Sequence, residues 1–310
     1  MKRFIALFLL IFLCIGFTAC NEKQPEAENK KPNIVCTVFP QYDFVREIAG
    51  NYVNLTMLLK PGSEAHSFEP APKDILSIKN SDLFIMIGGE SEEWAKKILD
   101  GVEESDTKVI KLIDSVDTLE EEVTEGMDSD EKHHGEYDEH IWTSPENAIT
   151  MVNIICSALC EIDPENKKIY NTNSENYIQE LKELNNEFSE TVKNGKRDTI
   201  VFADRFPFRY LTESTGLKYY AAFPGCSSKT EPSAATVAFL IDKIRAEKIP
   251  AVFCVDYGEA KISESIKRET GVKILKMYSC HIITKEEFEN GESYISLMKK
   301  NISALKEALN

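Results

Sequence analysis

Residues 33–59 read NIVCTVFPQYDFVREIAGNYVNLTMLL, and this stretch decides the fold. Residues 33–38 are apolar and rich in β-branched side chains, residues 43–49 have a helical pattern that ends at Gly50, and residues 53–59 return to a strand pattern. Alternating strands and helices are typical of parallel sheets, because two parallel strands need a crossover connection. The stretch therefore predicts an α/β fold with parallel-type sheets flanked by helices.

The same alternation continues in two blocks. The first block adds a predicted helix at 73–79 and a strand at 83–87. The second block has predicted strands at 199–202, 251–255 and 272–277 and predicted helices at 235–248, 262–269 and 293–308. At roughly 100–200 residues per domain, the length also indicates two lobes, which we place at residues 33–163 and 195–310.

A single long helix is predicted between the blocks, over residues 164–194. Its apolar side chains recur in steps of three, four or seven residues and so share one helix face: Tyr170, Tyr177, Leu181, Leu184, Phe188 and Val192. No Gly or Pro follows Pro164 until Gly195. A helix of this length reaches about 45 Å and would join the two lobes as a rigid spine.

The first 19 residues form a predicted export signal, in which Lys2 and Arg3 precede an apolar run too short for a membrane span. The residues before Cys20 resemble the bacterial lipobox, although Phe17 stands where that motif usually has Leu. Cys20 would then be the first mature residue, and its acyl chains would hold the protein on the outer membrane surface. The alternative is a simple cleaved signal. Residues 20–32 are polar and predict a flexible tether.

The chain is strongly acidic, with a formal net charge of −16 that becomes −18 when Lys2 and Arg3 leave with the signal. Nucleic acid and anionic headgroups are therefore unfavourable partners, whereas cations are favoured. Residues 118–139 form an acidic loop that contains His133 and His134. Such a loop is usually solvated, and its composition suits transient capture of metal ions.

The remaining histidines stand at the ends of predicted elements. His66 and His281 follow predicted strands, as does Asp204, while His140 precedes a helix that Ser144 caps. Ligands of open parallel sheets bind in the crevice outside the carboxyl ends of the strands, so these four side chains are candidate ligands.

Three imidazoles and one carboxylate suit Zn²⁺, and Mn²⁺ is the alternative, whereas Ca²⁺ and Mg²⁺ prefer oxygen donors alone. Each candidate also has a simpler explanation. A loop histidine is often only solvated, and Asp204 could cap a turn or pair with Arg205 or Arg209.

Three stretches resemble the zinc and manganese solute-binding proteins of ABC importers (cluster A-I). Residues 61–74, PGSEAHSFEPAPKD, and residues 138–148, DEHIWTSPENA, resemble the first two metal-histidine segments of that family. Residues 230–244, TEPSAATVAFLIDKI, resemble the segment after its third ligand. The resemblance runs from about Asn33 to the C-terminus and implies two α/β lobes joined by one rigid helix, with the metal between them.

The resemblance also implies a ligand set, in which His66 and His140 carry over directly. The family's third histidine is replaced here by Ala203, and Asp204 is the nearest donor. The family's late carboxylate is replaced as well, and His281 is the nearest donor there.

Other residues near this expected cleft have alternative roles. Cys226 and Cys280 fit a disulfide in an exported protein or, alternatively, thiolate ligation. Glu231 would orient a ligand or cap the helix that begins nearby. The other mature cysteines, Cys36, Cys156, Cys160 and Cys254, have the pattern of buried small hydrophobic residues.

The function that these features predict is a monomeric, non-enzymatic zinc receptor that hands its ion to an ABC-importer permease. An exported zinc hydrolase is the rival class, but no HExxH motif or nucleophile elbow occurs in the sequence. A surface adhesin that uses the metal structurally is the third alternative.

Overall fold

Two four-stranded parallel sheets form the framework of the protein in a computed structural model, which describes residues 30–63, 68–100, 106–128, 137–227, 231–256 and 261–310. The first sheet has the order β2-β1-β3-β4, and the second has the order β6-β5-β7-β8. The strands are β1 (Asn33–Cys36), β2 (Asn54–Met57), β3 (Leu83–Met86), β4 (Lys108–Lys111), β5 (Thr199–Phe206), β6 (Lys218–Pro224), β7 (Ala251–Val255) and β8 (Lys273–Met277). The predicted α/β architecture is confirmed.

Helices flank both sheets. They are α1 (Phe39–Ala49), α2 (Pro72–Lys79), α3 (Glu93–Asp100), α4 (Pro145–Ile162), α5 (Lys167–Lys193), α6 (Arg209–Thr215), α7 (Ala234–Glu247), α8 (Lys261–Thr270), α9 (Lys285–Glu289) and α10 (Tyr294–Leu309). None of these described helices combines the length and the apolar character needed to cross a bilayer. Cys20 and the predicted signal lie outside the described residues.

The predicted long helix is present as α5, preceded by a 3₁₀ turn at Pro164–Asn166. Its apolar face is buried against α1, α4 and α10. Polar contacts add to this packing, because Asn173 donates to the carbonyl of Ile48 at 2.9 Å and Lys306 pairs with Glu187 at 2.7 Å. One continuous apolar cluster includes Ile34 of the first sheet and Phe202 of the second, so a shared core backs both lobes.

Strand β5 is longer than the sequence predicted. It continues to Phe206, so the expectation that Asp204 follows the strand is wrong, and Asp204 lies inside it. The pairing of β5 with β6 shifts register between Phe202 and Arg205. Phe206 extends the strand because its ring is buried and stacks on Tyr219, with ring centroids 3.6 Å apart.

The acidic loop is not simply solvated, because its first half docks on the second lobe. The backbone N–H of Asp128 donates to the carbonyl of Ala222 at 3.0 Å, and Glu125 pairs with Lys243 at 3.1 Å. Glu121 accepts the backbone N–H of Cys226 at 2.6 Å. One ion pair and two hydrogen bonds from backbone N–H groups therefore hold this segment against the second lobe. His133 and His134 lie outside the described residues.

Candidate metal centre

His140 stands where the acidic loop meets a 3₁₀ turn, Ile141–Thr143, that leads into α4. His140 is 1% exposed. Asp138 Oδ1 accepts the backbone N–H of His140 at 2.7 Å and lies 3.1 Å from its Nδ1. With the ring proton on Nδ1 facing Asp138, Nε2 would be the nitrogen that binds a metal, as in carboxylate–histidine–zinc arrangements.

The environment of His140 favours its charged form. Burial lowers the pKa of this imidazole, but the carboxylates of Asp138, Glu139 and Glu121 outweigh burial and raise the pKa above its ordinary value. A divalent cation would act in the opposite sense, because it needs the neutral ring. The same carboxylates attract the cation, so protons and metal compete for this site.

His281 lies in the segment that follows β8. Asp256 anchors this segment by accepting from the backbone N–H and the hydroxyl of Ser279, at 3.4 and 3.3 Å. The hydroxyl of Ser279 in turn accepts the backbone N–H of His281 at 3.1 Å. Between them, Cys280 has φ +60°, a left-handed conformation that is uncommon for a residue other than glycine. This turn is part of the path that brings His281 into the protein interior, where it is 2% exposed.

Glu139 is the third member of the cluster and is also 2% exposed. Its Oε2 accepts the backbone N–H of Ser91 at 3.1 Å, just before α3. A Cβ atom at Gly89 would lie 2.1 Å from that oxygen. Gly89 therefore leaves the space that the carboxylate occupies.

The donor atoms of Glu139, His140 and His281 lie within 4.8 Å of one another. The two imidazole centroids are 5.3 Å apart, and the rings are nearly perpendicular. Donors about 2.1 Å from a tetrahedral zinc ion are roughly 3.4 Å apart, so small side-chain movements would close this group around one ion. Two imidazoles and a carboxylate are also the donor types that suit zinc.

The other predicted site residues fall in different places. His66 lies outside the described residues, although Gly62 and Phe68 on either side of it are described. Asp204 does not belong to the three-donor cluster, and its Oδ1 accepts the backbone N–H of Arg205 at 2.8 Å. Glu231 is exposed, and Ser233 caps α7 in its place by accepting the backbone N–H of Thr236.

The expected disulfide between Cys226 and Cys280 is absent, because both residues are free thiols. They face different acidic groups: burial and the carboxylates of Glu139, Asp138 and Glu121 raise the pKa of Cys226, whereas burial followed by Asp256, Asp43 and Glu287 raises that of Cys280. Both pKa values lie well above the usual range. Neither thiol is a member of the three-donor cluster that the described residues form.

Sequence reasoning missed Glu139. The signal was its position directly before His140 in DEHIWTSPENA, since two adjacent donors can share one short loop. What could not be read from the sequence was the direction of the side chain, which depends on the distant N–H of Ser91 and on the space above Gly89.

Substituting Gly89→Ala should weaken zinc binding about tenfold, because the new methyl group would displace the Glu139 carboxylate from the cluster, a loss at the low end of the effects seen for supporting residues of metal sites. Competition with a chromophoric chelator would measure it. Gly271→Ala is the control, since no atom lies within 4 Å of a Cβ built there. Because Gly271 has a φ of +78°, alanine should strain the backbone there and lower the stability of the fold. The control therefore distinguishes a general loss of stability from a specific loss of zinc binding. Equal zinc affinity in both variants would contradict this role of Gly89.

Two parallel α/β lobes, packed against one long helix, together form a buried cluster of two histidines and a carboxylate whose donor types suit a metal ion. A family model described as zinc-uptake complex component A, periplasmic (ZnuA), matches residues 34–308. The chain belongs to this family.

Two curated proteins and one solved structure of this family are similar to this chain over most of its length. The zinc-binding lipoprotein AdcA of Streptococcus pneumoniae is 33% identical over 96% of this chain, which spans 60% of the length of that relative. The high-affinity zinc uptake system protein ZnuA of Bacillus subtilis is 29% identical over 99% of this chain and 98% of its own length. The Zn(II)-bound ZnuA-like domain of S. pneumoniae AdcA superimposes with a TM-score of 0.77 at 31% identity, over 90% of this chain and 99% of that domain.

Proposed function

We propose that this protein is an extracytoplasmic receptor that captures Zn²⁺ between its two lobes and delivers it to the permease of an ABC importer. The observation that carries the proposal is the buried convergence of Glu139 and His140 from the first lobe with His281 from the second. The names of the AdcA and ZnuA relatives, which specify zinc binding and zinc uptake, support the choice of ion.

The proposed ligand set is His66, Glu139, His140 and His281. We assign the carboxylate to Glu139 rather than Asp204, because Asp204 lies outside the three-donor cluster. The set still contains three imidazoles and one carboxylate, as the sequence indicated. Four protein ligands leave no position for a reactive water, which favours retention of the ion over catalysis.

The wider proposal includes the route of the ion and the anchor. His133 and His134 in the acidic loop would capture ions transiently, and acylated Cys20 would keep the receptor at the extracytoplasmic face of the membrane. The polar tether to Pro32 would let the lobes reach a permease in the same membrane.

Elemental analysis of the purified protein tests the proposal. We expect one equivalent of zinc, with manganese as the alternative cargo, and release of that ion to a chelator without unfolding. Circular dichroism would follow the fold during stripping. A protein that takes up neither metal would contradict the receptor role, and one that unfolds when stripped would favour a structural use of the metal.

A further inference from the structure

The segment around His281 is held by the first lobe on both sides. The indole Nε1 of Trp142 donates to the carbonyl of Ser279 at 2.8 Å, two residues before His281. The backbone N–H of Gly62 donates to the carbonyl of Ile283 at 2.7 Å, two residues after it. Two donors from the first lobe therefore fix the backbone that carries the second lobe's ligand.

Trp142 also contacts both imidazoles of the cluster. Its ring centroid lies 5.4 Å from that of His140 and 5.0 Å from that of His281, in edge-on arrangements. The side chain is 1% exposed. Its backbone carbonyl accepts the hydroxyl of Tyr294 at 2.6 Å, and the backbone N–H of Tyr294 donates to Asp43 at 2.7 Å. The first turn of α10 thus holds the backbone of Trp142 in place.

The backbone of residues 279–281 is expected to change conformation when the hydrogen bond from Trp142 is lost. Cys280 adopts φ +60°, a left-handed backbone conformation that is unfavourable for a residue with a Cβ atom. Such a conformation persists only where surrounding contacts enforce it. The indole hydrogen bond to the adjacent residue, Ser279, is one of those contacts.

We propose that Trp142 is a positioning residue that holds His281 in its metal-binding place before the ion arrives. The inference rests on the proposed function. It also predicts how the ion is released, because the hydrogen bond from Trp142 to Ser279 must break when the lobes separate. Metal entry would then need only side-chain adjustment, whereas exit would need the indole–carbonyl hydrogen bond between the lobes to break.

The test compares Trp142→Phe with Tyr170→Phe. The first removes the indole donor but keeps an aromatic ring. The second removes another buried donor, the hydroxyl that Tyr170 gives to Asp163 at 2.5 Å near the start of α5. We expect Trp142→Phe to release zinc to excess chelator about tenfold faster, within the range typical of residues that orient metal ligands, and to weaken the visible absorption of bound Co²⁺. Tyr170→Phe should match the wild type in both measurements.

A second measurement on the wild-type protein does not depend on a variant that folds. In the metal-free state, hydrogen exchange of the Trp142 indole N–H should be slow, because the bond to Ser279 already exists. Rapid exchange there would overturn the proposal. A Trp142→Phe protein with the wild-type Co²⁺ spectrum and zinc release rate would also overturn it, even if its melting temperature fell. Failure of the wild type to bind zinc or Co²⁺ would instead refute the proposed function.

Discussion

Replacing His140 or His281 with alanine should lower zinc affinity by about 100-fold. Structural zinc sites are worth 10–16 kcal/mol, so each of four donors supplies roughly 3 kcal/mol, and 1.4 kcal/mol is a factor of ten. Glu139→Gln should fall in the same range, because the amide keeps the shape of the side chain but loses its charge. Isothermal titration with zinc, in the presence of a competing chelator, would measure all three.

Asp204→Asn is the informative comparison for this series. Asp204 lies inside β5 and is not a member of the donor cluster that the described residues form, so its substitution should change zinc affinity by less than about threefold, against about 100-fold for loss of a ligand. A large loss in Asp204→Asn together with an unchanged Glu139→Gln would reverse the assignment of the carboxylate ligand.

Zinc affinity should fall by roughly 30,000-fold between pH 7.5 and pH 5. An imidazole with an ordinary pKa near 6.5 is about 30-fold more often protonated than neutral at pH 5, and the three imidazoles of the proposed ligand set multiply the effect. The raised pKa of His140 moves the start of this loss to higher pH, because protons compete with zinc until the pH exceeds that pKa.

Chelator competition at half-unit pH steps would give this profile, with circular dichroism at each step to show that the fold persists. In the Glu139→Gln variant one of the carboxylates that raise the pKa of His140 is gone, so its profile should move to lower pH. An affinity that is the same at pH 5 and pH 7.5 would argue against imidazole ligation.

The sequence predicted the parts of the fold that depend on local pattern. The strands of NIVCTV and AVFCV and the long helix α5 were identified because their apolar residues follow the period of one secondary structure. Strands β4 and β6 were not predicted, since KVIK and KYYAAFP start with lysine and have mixed burial. They are strands because β3 and β5 offer them parallel partners.

The site was predicted in part for the same reason. His140 and His281 were found because their loops follow elements whose position the pattern gives. Asp204 was predicted because it follows the apolar residues 199–202 and is the nearest donor to Ala203, but β5 continues to Phe206, which stacks on Tyr219. Glu139 was not predicted, because the direction of its side chain depends on the N–H of Ser91. Contacts outside the local sequence therefore determine that Glu139 belongs to the cluster and that Asp204 does not.

Glu139 and His140 are neighbours in the chain, whereas His281 follows His140 by 141 positions and belongs to the other lobe. Any movement that separates the lobes must therefore withdraw one donor and leave the adjacent pair together. The ion would first lose its bond to His281 and remain bound to the donors of the first lobe, with one coordination position open. A donor atom on an acceptor molecule could then fill the gap left by His281, so the ion would leave by exchange of ligands.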